Sequence, residues 1–131
     1  MKILVCGDRK WASKDSVKLA LSQYGKDTIV IHGGASGADS LGGEVAKELE
    51  MAVQVFPADW EQYGRRAGMM RNLQMLDEKP DLVLAFHNFL PNSKGTKHTV
   101  TEALRRGIKT ELWNSKGVGI HLKKEDADGQ I

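Results

Sequence analysis

The chain contains one cysteine, Cys6, which excludes an internal disulfide and a metal site built from several thiolates. It also lacks a charge surplus. Lysine and arginine number 19 against 17 acidic residues, and a net charge of +2 gives no prediction of nucleic-acid binding by itself. No stretch approaches the ~18 consecutive apolar residues of a membrane span, and the apolar start at Ile3–Cys6 is too short for a signal peptide. There are no internal repeats and no interdomain linker. A length of 131 residues lets a single domain bury roughly two-thirds of its unfolded surface without a staple. The expectation is one cytoplasmic domain with no membrane contact, no metal and no resident cofactor. Glycine, by contrast, is plentiful: there are 14, and Gly33, Gly34, Gly37, Gly42 and Gly43 lie close together.

Five short apolar runs, Ile3–Cys6, Thr28–His32, Ala52–Phe56, Leu82–Phe86 and Ile108–Trp113, alternate with four segments of helical period. Val17, Ala20, Leu21 and Tyr24 share one helix face, with Ser13 as N-cap and Gly25 as the stop. Ala38, Leu41, Val45 and Leu49 form a second stripe. Met69, Leu73 and Leu76 form a third before Pro80, and Val100, Ala103 and Leu104 a fourth before Gly107. Near-continuous apolar strands alternating with helices predict an α/β fold, a Rossmann-like three-layer domain around an open, mainly parallel five-stranded sheet. This domain spans 1–114, and 115–131 reads as a weakly structured tail.

In such sheets ligands bind beyond the carboxyl ends of the strands. Gly7–Ser13, Gly33–Asp39, Pro57–Gly64 and His87–His98 leave those ends, and their composition is unusual. In the second loop Gly33, Gly34, Ser36, Gly37 and Asp39 open a helix, as a phosphate- or ribose-binding turn would. It is neither a Walker A loop nor a dinucleotide fingerprint. Arg65, Arg66 and Arg71, with Asn72, supply forked donors suited to phosphate, and Trp60 or Tyr63 could stack a base. Gly95-Thr96 offers backbone donors and a hydroxyl at another helix start, close to Lys94, Lys97 and His98. Thr99-x-x-Glu102 has the form of a capping box. Gly7, Asp8 and Arg9 line the same edge. The four histidines have no metal-ligand spacing, His32 reads as a satisfied polar residue, and Cys6 reads as buried and inert.

The ordered series Ile3–Arg9, His32–Asp39, Phe56–Trp60, Tyr63-Gly64, Ala67–Asn72 and Gly95-Thr96 resembles the SLOG superfamily. That Rossmann-like group unites SMF/DprA and Lonely Guy proteins, and the chain is most similar to its small YspA/YpsA-related branch. The resemblance implies a cleft for a nucleotide or nucleotide-derived ligand. Gly33, Gly34, Gly37 and Asp39 would form one wall, Arg71 and Asn72 would match the arginine step, and Gly95-Thr96 the phosphate-holding turn. It also implies a homo-oligomer. Lonely Guy enzymes cleave the N-glycosidic bond of a nucleoside monophosphate with an arginine and a glutamate, in a turn Pro-Gly-Gly-x-Gly-Thr-x-x-Glu. Here Asn92, Ser93 and Lys94 precede Gly95, and Thr99 stands where that glutamate would be. Glycosidic cleavage draws on a carboxylate, so the catalytic candidates are Asp39 or Glu102 as the carboxylate, with Arg71 as the arginine that the resemblance implies. The expected function is a sensor or sequestering protein, including a phage-type sponge of a signalling nucleotide. The alternatives are a nucleoside-monophosphate N-glycosidase and a DprA-like nucleic-acid binder.

Overall fold

A computed structural model describes residues 1–128 of the chain. Its strands are β1 (Lys2–Gly7), β2 (Ile29–His32), β3 (Ala52–Val55), β4 (Leu82–Phe86), β5 (Lys109–Trp113) and β6 (Gly119–Leu122). Its helices are α1 (Lys14–Leu21), α2 (Ala38–Glu48), α3 (Trp60–Tyr63), α4 (Ala67–Asp77) and α5 (Gly95–Arg105). The sheet order is β3-β2-β1-β4-β5-β6. The first five of these strands run parallel, and β6 pairs antiparallel with β5, Leu112 opposite Ile120.

β1 sits at the centre because it is apolar on both faces. Side chains alternate across a strand, so Ile3 and Val5 pack with Val17, Leu21, Val45 and Ala46 of α1 and α2. Leu4 and Cys6 face Met75, Leu76, Val100 and Ala103 of α4 and α5. Each such side chain taken fully out of water contributes about 1.5–3 kcal/mol. Gly42 admits β1 close to α2, since a Cβ there would press on the Val5 side chain. Trp11 lies over Phe86 with ring centroids 5.9 Å apart, and its indole N–H donates to the Ser16 hydroxyl at 3.1 Å. That contact fixes the chain leaving β1 to the start of α1, where Ser13 accepts from the Ser16 amide as the N-cap.

Four features differ from the pattern read in the sequence. The sheet has six strands and is mixed, because Gly119–Leu122 turns back along β5 instead of trailing away. Its residues are mostly exposed, so no apolar run marks it. A 3-10 turn at Lys124–Ala127 follows and packs against α5. Of the predicted weak tail, residues 129–131 lie outside the described residues. Second, a short helix α3 and a 3-10 turn at Gly64–Arg66 precede α4, so three helical pieces separate β3 from β4. Third, α5 begins at Gly95, which places Thr99 inside it. Thr99 donates its hydroxyl to the Gly95 carbonyl at 3.2 Å, and the predicted capping box does not form. α1 also ends at Leu21, ahead of Tyr24 and Gly25. No helix among the described residues is long and apolar enough to cross a membrane.

Candidate functional site

The strand order reverses between β1 and β4, since β1 connects outward to β2 and β4 connects outward to β5. The loops after these two strands therefore diverge and leave a crevice at their carboxyl ends. A cleft of about 640 Å³ fills it. Gly7–Lys10 form one side and Asn92–Thr96 with His98 the other, and Asp39, Arg65, Arg71 and Asn72 close it. Gly7 permits this meeting of elements. A Cβ there would run into the Phe86 backbone and the Ala38 side chain, and its φ of 158° is extended backbone.

The glycine turn after β2 has a different role from the one its composition suggests. The Asp39 carboxylate accepts from the amides of Gly33 at 3.0 Å and Ala35 at 3.3 Å. The Gly34 amide donates to Nδ1 of His32 at 3.0 Å, and the Ala38 amide donates to the Asp8 carbonyl at 3.1 Å. Four donors that could have met an anion are thus engaged within the chain. Gly37 has φ 74°, and a side chain there would strike the backbone of Asp8 and Arg9. Gly43 leaves room for the His32 ring. The turn is a self-bonded strand-to-helix joint.

Burial raises the pKa of Asp39 above its ordinary value, against the pull of its two amide donors, His32 and Arg71. Burial likewise lowers the pKa of His32, so that imidazole is held neutral with Nδ1 as an acceptor. Cys6 lies at the floor of the cleft, and burial pushes its thiol far above the range in which thiolates form.

Arg71 and Asn72 join three elements. Arg71 donates through Nη1 to the Gly33 carbonyl at 2.7 Å and through Nε to Oδ1 of Asn72 at 3.0 Å. The Asn72 amide nitrogen reaches the Gly95 carbonyl and Nδ1 of His98, both at 3.4 Å. An amide nitrogen only donates, so His98 Nδ1 is the acceptor in this contact. The arginine step therefore links the β2 turn to the start of α5.

The open donors lie at that start. Ser93 Oγ accepts from the Thr96 amide at 3.0 Å. The amides of Gly95 and Lys97 have no partner among the described residues. Gly95 is exposed, and a Cβ on it would meet nothing within 4 Å. Arg9, Lys10, Arg65, Arg71 and Lys94 line the cleft, against the carboxylates of Asp8 and Asp39. Such a surplus around free amides at a helix start attracts an anion.

Of the residues singled out in the sequence, Gly7, Asp8, Arg9, Asp39, Arg65, Arg71, Asn72, Gly95 and Thr96 line the cleft. Gly33, Gly34, Ser36 and Trp60 line an adjoining pocket of about 310 Å³ that shares Arg9, Ala35 and Arg71 with it. Gly37 and Arg66 line neither. Glu102 lies two turns beyond Gly95, about 10 Å along the helix at 1.5 Å per residue, and it pairs with Arg105 at 3.3 Å. Lys10, His87, Asn92 and Ser93 line the cleft without having been assigned in the sequence. Their signal was positional, since each falls in a loop leaving β1 or β4.

The model of the YspA, cpYpsA-related SLOG family matches residues 1–63, from β1 through the glycine turn to the end of α3. The chain belongs to this family. Among curated proteins, the Gene 61 protein of Mycobacterium phage D29 is 36% identical over 118 residues, covering 82% of this chain and 91% of that protein. No solved structure matches the chain. Within this SLOG chain the family match ends before α4 and α5, so it does not reach Arg71, Asn72 or Gly95.

Proposed function

We propose that the protein binds a nucleotide or nucleotide-derived ligand, its phosphate at the start of α5, as a sensor or sequestering protein. The observation that carries this reading is the pairing of unpartnered Gly95 and Lys97 amides with the basic lining of the cleft. SLOG membership supports a nucleotide-related role, and a relative in a phage fits the sequestering form. Holding is favoured over cleavage by the state of the carboxylates. Asp39 is engaged by two backbone amides, and Glu102 is paired with Arg105 away from the cleft lining.

The test is a panel of nucleoside mono-, di- and triphosphates, read by thermal shift and by mass spectrometry of the recovered ligand. A phosphorylated member should raise the melting temperature and return intact. Lys94→Glu, a change at an exposed position, should weaken that binding roughly tenfold or more through loss of a charge-assisted contact. Absence of any shift would overturn the reading. Release of free base would replace it with the glycosidase.

A further inference from the structure

The adjoining pocket differs in chemistry from the main cleft. One wall is the glycine turn, whose Gly33, Gly34 and Ala35 amides are all engaged within the chain, so it offers few donors. Gly34 has φ 75°, and a Cβ there would press on the Val55 side chain. The facing residues are Pro57, Ala58 and Trp60. Trp60 is 55% exposed, whereas Trp11 and Trp113 are 5% and 7% exposed. A single exposed aromatic needs no explanation, but this one opens onto a concavity. Asp59 fixes its place by accepting from the Gln62 amide at 3.1 Å, which caps α3 with Trp60 as its first residue. Arg9 and Arg71 border both pockets, and Arg71 is already bonded to the Gly33 carbonyl.

We propose that this second pocket is a base subsite, and that the ligand is a phosphate-linked dinucleotide rather than a mononucleotide. One planar ring stacks on Trp60 over the glycine turn, Arg9 meets the linking phosphate, and the second nucleotide occupies the larger cleft against α5. This rests on the nucleotide reading above and extends it from a phosphate site to a two-pole ligand.

The experiment titrates the protein calorimetrically with AMP and with diadenosine dinucleotides linked 5′–5′ through pyrophosphate, or 3′–5′ through one phosphate with a second phosphate on the free 5′ hydroxyl. Trp60→Ala and Trp60→Phe are titrated in parallel, with circular dichroism as the folding control. At least one dinucleotide should bind tenfold or more tightly than AMP. Stacking on one aromatic predicts that Trp60→Ala weakens the dinucleotide roughly tenfold and leaves AMP within about twofold, while Trp60→Phe keeps most of the advantage. Equal binding of AMP and dinucleotides, or a dinucleotide affinity unmoved by Trp60→Ala, overturns the subsite. Lys94-sensitive AMP binding in that case leaves the phosphate reading standing. If no nucleotide binds at all, both fall together.

Discussion

The Arg71 guanidinium donates to the Gly33 carbonyl at 2.7 Å, and it fits there only because Gly33 has no side chain. Arg71 therefore acts as a structural tie before it acts on any ligand. Arg71→Ala should cost about 1.5–3 kcal/mol of stability in ligand-free protein, the range for hydrogen bonds to a charged group. Gly33→Ala should also destabilise, because the new methyl displaces the guanidinium. Combined in a double-mutant cycle under urea denaturation, the two should cost less than their sum. Additive costs would show that the residues do not share this contact.

His32 and Asp39 predict opposite pH dependences. The folded-state pKa of His32 lies below its ordinary 6.5, so the native protein binds fewer protons than the unfolded chain there. Its contribution is complete above pH 6.5 and is lost as the pH falls through that point. Asp39, raised above its ordinary 3.8, is the reverse. Its contribution is greatest below 3.8 and falls as the pH rises, until the carboxyl ionises in the native state as well. Denaturation curves across this range for wild type minus His32→Asn, and for wild type minus Asp39→Asn, should slope in opposite directions. Parallel slopes would contradict the burial of one group.

Gly95→Ala separates stability from binding. No atom lies within 4 Å of the added Cβ, so the fold accepts it, and α5 should gain up to about 1 kcal/mol from the better helix former. The same methyl is carried on the Cα next to the open Gly95 amide, so it crowds an anion bound there. Melting temperature should hold or rise while nucleotide affinity drops. A parallel fall in both would mean that Gly95 is needed for folding.

Glu102→Gln tests the remaining carboxylate. Its partner Arg105 is exposed, so losing the pair should change stability by less than about 0.5 kcal/mol. Ligand affinity should not move. A clear change in binding or in base release would bring Glu102 into the site despite its distance along α5.

Much of the fold was legible in the sequence because β1, β2 and β4 are buried on both faces and their apolar runs are continuous. β6 was not legible, since an exposed edge strand needs only backbone pairing with β5 and leaves little trace in side-chain pattern. The candidate site was legible as a set of loops and misread in its division of labour. Three glycines and an aspartate after β2 have the composition of a phosphate turn. The structure shows Gly33 making room for Arg71 and Gly37 for the Asp8-Arg9 backbone, while Asp39 takes up the amides. Glycine records that space or φ is needed and does not say which atom occupies it. At Gly95 the space is unfilled among the described residues, and composition does not record that difference.

Ser93 satisfies only part of the first turn of α5, so the helix lacks a complete cap of its own making. A bound anion would finish it from solution. Occupancy would then be written into amide exchange: the first turn of α5 slows when ligand is present. A binding event would thus be reported by the rigidity of one helix end, with no movement of the sheet required.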